Sequence, residues 1–586
     1  LIGACNPFRF RKKITNRYDL ASENDEDDKL VYIVNQLPES LLYYIFNFGL
    51  LYDKEEKDYI RCIIQKLFIK DEQKLYELTV EIISKCHLFL RESFGYESSI
   101  ISLRDIIRFT KCVEFFKDYF NKKDNYLNHL LDDETEKINK IKSIICSIYV
   151  CYYVRLENEG IRGNFENKLR KSLLQIANVY SNDNIDEQTD DLLTLIKNKK
   201  LRLELRGKSF KNFNDLLKNE EDFLLEQIEL DKGIGKNQSL KEILFLIFLS
   251  IVTKIPLIII DKQSGIGKSL AVELIINSMK GEYSKTKEGK NSFFLNYPSI
   301  YQIYYQGLVS TTCEDIKELF NNVDELFKKY KNNNENKNIM ILFDKLEFAE
   351  EAQECPLKIL KKELENNIRT KGICFIGISN KSLNTNLINN SLCLSVINLE
   401  DKLDQLKNIA KSIDKKIYEN IDKDDLIFNI LSRAFYEYKR ILTLLKKLNV
   451  LKRYSIGSEK NLKNKNFGEI ESETHFKELL KKDNKIKVDF HGIKDFLNLI
   501  KGMAIECSKL YNINDERQIR PVINNLIERN FGGITYKINI DFNLEFDDIK
   551  EKMEKLKNEI LYEKLNLNKP IKRKKRLEDD IKEDED

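Results

Sequence analysis

Tryptophan is absent from the 586 residues, and histidine and methionine occur only four times each. With four histidines and eleven scattered cysteines that form no CxxC pair, a structural zinc site, a RING-type finger included, has no ligand set in this sequence. The same cysteine usage suits a reducing compartment, and Cys146 and Cys151, set in an apolar stretch, read as core thiols. Charge of one sign is also lacking: 98 basic against 95 acidic residues leave +3, so no global field points to nucleic acid or to a membrane surface. The longest apolar run, Ile243 to Ile260, is broken by Lys254 and Pro256 and reads as a buried helix followed by a core strand, not as a membrane span. No signal peptide is visible and the chain opens on Leu1, so it reads as a fragment or a truncated gene model, and the reducing compartment is expected to be the cytoplasm.

A hydrophobic fraction of 42% is ample for packed cores, and the length suggests about four domains. Around Pro256 the order is strand, glycine turn, helix. Ile258, Ile259 and Ile260 form a buried strand, Ser264-Gly265-Ile266-Gly267 a turn, and Leu270, Ala271, Leu274 and Ile275 recur at helical spacing. Such a turn lets backbone N–H groups face one concavity at a helix N-terminus, Lys268 supplies a charge for β/γ-phosphate oxygens, and the Ser269 hydroxyl suits Mg²⁺. We therefore expect ATP or ADP with Mg²⁺ against Gly265, Ile266, Gly267, Lys268, Ser269 and Leu270. The P-loop template asks for glycine six positions before its lysine, where this chain has Lys262.

Two further apolar runs end in polar residues suited to the same site. Ile339 to Phe343 presents Asp344, placed to hold Mg²⁺ through water, and GICFIGISN ends on Asn380. Leu342, Phe375 and Ile258 are expected on separate strands of one parallel sheet covered on both faces. From about 60 to 230, and again after 399, aliphatic residues recur three and four apart, as amphipathic helices require. The closing KPIKRKKRLEDDIKEDED reads as a solvated tail.

Taken in order, ACNPFR at the start, SLRD at Ser102 to Asp105, the P-loop, FDK followed by EFAE and CPLKILK, FIGISN, FHGIKDFLNLIK and RNFGG resemble successive AAA+ segments of the mysterin-type giant RING-finger ubiquitin ligases. The resemblance implies an α/β P-loop NTPase subdomain with a parallel sheet, plus mainly helical lid and linker subdomains. It divides the chain into the end of a first AAA+ module (1–60), a helical lid and linker (61–213), a nucleotide-binding subdomain (214–399), a helical lid of the second module (400–566) and a charged tail (567–586). Asn6 and Arg104 would be the sensor-1 and sensor-2 residues of the first module. Asn380 would be sensor 1 of the second.

Four positions depart from the family pattern. Lys262 replaces the first loop glycine, and Lys345 stands where the family reads LDE and uses the glutamate to polarise attacking water. Asn390 takes the place of an arginine finger, and Lys494 that of the sensor-2 arginine, keeping the charge but losing the bidentate fork. Glu347 is the possible substitute base, though two residues on along a strand or turn it would point differently from residue 345. The pattern favours nucleotide binding with weak or no hydrolysis; the alternatives are an active motor module and a nucleotide-free scaffold. Adjacent AAA+ modules and ubiquitin-system proteins are the implied partners, and no ubiquitin-transfer site is expected in this chain.

Overall fold

The computed structural model describes residues 9–10, 30–32, 53–94, 101–127, 132–156, 158–180, 192–204, 212–230, 234–261, 267–281, 284, 292–332, 337–381, 383, 387, 390–396, 493–507, and positions 521, 522, 525, 526 and 529. Asn6, Lys262, Gly265 and Ile266, most of 400–566 and the tail after 566 lie outside the described residues.

Two short strands, β1 (Arg9–Phe10) and β2 (Leu30–Tyr32), pair antiparallel. A helical layer follows: α1 (Asp53–Ile64), α2 (Gln73–Phe94), α3 (Leu103–Tyr126), α4 (Asp133–Ile148), α5 (Glu159–Ala177), α6 (Leu192–Leu195), α7 (Lys199–Glu204), α8 (Asn214–Glu226) and α9 (Gln238–Thr253). The SLRD motif is a helix start. Ser102 accepts from the Arg104 N–H while the Asp105 carboxylate accepts from the Ser102 N–H at 2.9 Å, a reciprocal cap that satisfies backbone donors at the mouth of α3. α9 is buried nearly all round, begins at an Asn237 cap and stops at Lys254 in the left-handed conformation, two residues before Pro256.

Beyond it the chain enters an α/β unit: β3 (Leu257–Ile260), α10 (Lys268–Ser278), β4 (Ser299–Gln306), α11 (Cys313–Asn332), β5 (Lys337–Asp344), α12 (Leu346–Glu350), α13 (Pro356–Lys371), β6 (Cys374–Ser379) and β7 (Leu392–Ser395). The five strands are parallel in the order β4-β5-β6-β3-β7. Ile258, Leu342 and Phe375 stand on three different strands, as expected. Alternation along the strands splits them between two cores. Leu257, Ile259, Leu342, Cys374 and Ile376 join the helical layer's core, whereas Ile258, Ile260, Ile341, Phe343 and Phe375 pack with Ile316 and Phe320 of α11 and Leu360 of α13. The run of apolar residues without polar interruption is what a parallel strand covered on both faces requires.

The helical layer grips the sheet at its β7 edge. Arg162 donates to the Ser395 carbonyl at 3.0 Å and to the Val154 carbonyl at 3.1 Å, Ser395 N–H donates to Val154 O at 3.0 Å, and Arg108 donates to the Ser391 carbonyl. Asp105, buried beneath, takes Arg155 at 3.1 Å and Arg108 at 3.3 Å. Burial pushes the Asp105 carboxyl up, but the two guanidinium charges outweigh it and hold it below its ordinary value. Cys146 and Cys151 are buried thiols, and the aromatics Phe115, Phe116, Tyr119 and Phe120 fill the core. One last helix, α14 (Ile493–Cys507), packs Leu497 against the same core.

A buried acid also ties α1 to α2. Glu56 accepts from both Arg91 nitrogens at 2.7 Å and meets His87 Nδ1 at 2.7 Å, while His87 Nε2 lies 3.2 Å from the Tyr152 hydroxyl. Burial raises the Glu56 carboxyl, but the His87 and Arg91 hydrogen bonds and charges prevail and lower it to about 2. A depressed carboxylate stabilises the fold above its unfolded pKa and loses that contribution as pH falls through the folded one. We expect about 3 kcal/mol from Glu56 to disappear between about pH 5 and pH 2. Denaturant midpoints across that window should fall more steeply for the native chain than for Glu56→Gln; parallel curves would remove Glu56 as the source.

Candidate functional site

The site is built at the carboxyl ends of β3, β6 and β5, where helix N-termini also meet. Beyond β3 the Asp261 N–H donates to Ser379 O at 3.0 Å and extends the ladder to β6 by one residue. Residues 262–266 lie outside the described residues, so the loop itself is fixed only at its exit. There Gly267 takes φ 99°, ψ 24°, a left-handed conformation that favours glycine, and its carbonyl accepts the Ala271 N–H at 2.8 Å to start α10. Lys268 and Ser269 therefore occupy the first turn, with Ser269 exposed. Leu270 is partly buried and packs against the core, so its side chain anchors the helix.

At the end of β5 the Asp344 carboxylate accepts from the Lys345 N–H at 2.9 Å and from the Tyr304 hydroxyl at 3.3 Å. Gly307 N–H donates to the Asp344 carbonyl at 2.8 Å, and a Cβ on Gly307 would stand 2.5 Å from the Lys345 carbonyl oxygen, so only glycine lets β4's exit pass this close. Lys345 adopts φ 55°, ψ 50°, and its ammonium lies 6.0 Å from the centre of the Phe348 ring.

The turn at Lys345 sets the place of Glu347. The strand ends at Asp344, Lys345 turns left-handed, and α12 begins at Leu346, so Glu347 is on a helical turn. Its carboxylate, 4% exposed as a residue, accepts from Asn380 Nδ2 at 2.9 Å and from the Asn380 N–H at 3.2 Å. Asn380 Oδ1 in turn accepts from Lys268 Nζ at 2.8 Å. Lys268, Asn380 and Glu347, drawn from three elements, thus form one hydrogen-bonded chain.

The sequence reading missed Asp261 and Tyr304. Asp261 belongs to no P-loop template position, and Tyr304 lies in an edge strand whose neighbour is set only by sheet order. Of the remaining expected residues, Arg104 is exposed on the first turn of α3, and Asn390 donates to Glu365 Oε1 at 2.9 Å. Lys494 is the second residue of α14, with its side chain outside the described residues.

Nucleotide phosphates and Mg²⁺ ask for a cation, a helix N-terminus, a hydroxyl and a carboxylate near one another in the fold. Lys268 and Ser269 at the start of α10 and Asp344 at the end of β5 are residue types of that kind.

Comparison with known proteins bears on the family. The family described as the RNF213 AAA domain matches residues 233–402. The chain is 26% identical over 421 residues to the E3 ubiquitin-protein ligase rnf213-beta of Danio rerio, and 26% identical over 424 residues to the E3 ubiquitin-protein ligase RNF213 of Homo sapiens. Each alignment covers 67% of this chain and 7% of the relative. No helix among the described residues is long and apolar enough to cross a membrane. By that family match and by its parallel sheet with helices on both faces, the chain carries an AAA+ domain of the RNF213 type.

Proposed function

We propose that the subdomain from 214 to 399 binds ATP or ADP with Mg²⁺ and hydrolyses it weakly or not at all, as a nucleotide-holding module among adjacent AAA+ modules in the cytoplasm. The observation that carries this reading is the Lys268–Asn380–Glu347 chain of contacts beside the start of α10. A cation and an amide in contact at the start of a helix are suited to phosphate oxygens, which is what supports the reading. Weak turnover follows from Lys345, because an ammonium at the position of the family's glutamate cannot accept a proton. On this reading 1–60 ends a first module, 61–213 is its lid and linker, 400–566 is the second lid, and 567–586 is a charged tail. Asn6 and Arg104 serve the first module, Lys494 is the second module's sensor-2 cation, and Asn390 leaves a neighbour's site without a finger. Since the relatives are ubiquitin ligases of which this chain matches 7%, partners from the ubiquitin system belong to the proposal.

One observation favours a second reading. Glu347, held by Asn380, is a carboxylate in contact with the candidate phosphate site and could serve as base in an active motor module. Calorimetric titration of the full chain with ADP and with a non-hydrolysable ATP analogue, Mg²⁺ present, should give saturable heat. Folded protein that gives none with either nucleotide would leave the structural scaffold as the function.

A further inference from the structure

We infer that Asp261 is a built-in anion that engages the Lys268 ammonium, so that a nucleotide must compete with the protein's own carboxylate for Lys268. The inference rests on the nucleotide-binding reading above and concerns the regulation of that same site.

The Asp261 side chain is 2% exposed and its Oδ2 lies 3.4 Å from Lys268 Nζ, whose side chain is 10% exposed. Its position is fixed by the backbone bond to Ser379, so the carboxylate sits at the floor of the site between the end of β3 and the start of α10. Lys268 Nζ also donates to the Asp261 carbonyl at 3.4 Å and to Asn380 Oδ1 at 2.8 Å. Two oxygens of the chain itself thus accept hydrogen bonds from the ammonium, and the Asp261 carboxylate stands within ion-pair distance of it. A phosphate can gain Lys268 only by displacing one of these acceptors or by sharing the cation. Sharing sets phosphate oxygens beside a carboxylate in a site where water screens little, and juxtaposed like charges are unfavourable there. Asp261 therefore lowers nucleotide affinity and helps hold Lys268 in place. The two effects have opposite signs, which gives the inference its test.

The full chain and its Asp261→Asn variant are titrated with ADP and Mg²⁺ by calorimetry, and their thermal midpoints are read with and without ADP. Asparagine keeps the shape but removes the charge. Affinity should rise about tenfold, the size of one partly screened charge interaction, while the nucleotide-free midpoint falls. Asp261→Glu keeps the charge and should bind as the native chain does. Asp261→Ser serves if the asparagine variant does not fold. Native binding with equal or weaker affinity in the neutral variants overturns the inference and leaves the nucleotide reading standing. Absence of heat from every folded variant overturns both.

Discussion

Under saturating ATP, Lys345→Glu is expected to raise phosphate release by about a hundredfold to ten-thousandfold, the usual contribution of a positioned general base. Residue 345 follows Asp344 directly, at the end of a strand whose register places it beside β6 and β4. Its backbone already holds a non-glycine residue at φ 55°, ψ 50°, so glutamate meets no backbone strain that lysine does not. The change does carry an electrostatic cost, because it replaces a cation next to Asp344 by a second anion and should raise KM for an anionic substrate. The gain must therefore be read in kcat, with KM followed separately. Unchanged kcat would mean that position 345 does not reach the attacking water. If the native chain also turned over at an ordinary rate, and Glu347→Gln abolished that turnover, Glu347 would be the base and the motor reading would replace ours.

The sheet was legible because both faces of a parallel strand are buried: Ile258, Leu342 and Phe375 lie in short unbroken apolar runs, and no amphipathic helix produces that pattern. Strand ends were legible too, since Asp344 is the first polar side chain after its run and Asn380 follows Ser379 at the end of its own. Residues whose roles depend on a change of backbone direction were not. Nothing in DKLEF says that Lys345 turns left-handed and starts a helix, yet that single conformation decides whether Glu347 faces Asn380. Asp261 was hidden for another reason. Its importance comes from strand order, which sets β6 beside β3 and so brings Ser379 and Asn380 next to it from more than a hundred residues away. Periodicity carries no information about that neighbour. SLRD illustrates the reverse case, in which a family motif has a local meaning of its own: Ser102 and Asp105 cap α3, and only Arg104 is left exposed for a role at a nucleotide.

Lys268→Ala should be the most damaging single change at the site, affecting binding and stability together. Charge-assisted hydrogen bonds contribute about 1.5–3 kcal/mol, so loss of the ammonium should weaken ADP binding by roughly tenfold to a hundredfold or more. The fold suffers because the same ammonium faces the Asp261 carboxylate, which is 2% exposed, and Asn380 Oδ1. Breaking a buried ion pair from one side typically costs about 3–5 kcal/mol, and the 3.4 Å separation puts this pair toward the lower end. Stability and binding can be separated by a double-mutant cycle with Asp261→Asn, since the two side chains are in contact and should not be additive. Adding Asp261→Asn to Lys268→Ala should recover much of the lost denaturant midpoint, because no buried carboxylate then faces the missing cation. Nucleotide affinity should stay low, because the phosphate-binding charge is still absent. Recovery of binding along with stability would show that Lys268 acts on nucleotide only by holding the fold, and a purely additive cycle would show that Asp261 and Lys268 do not interact in solution.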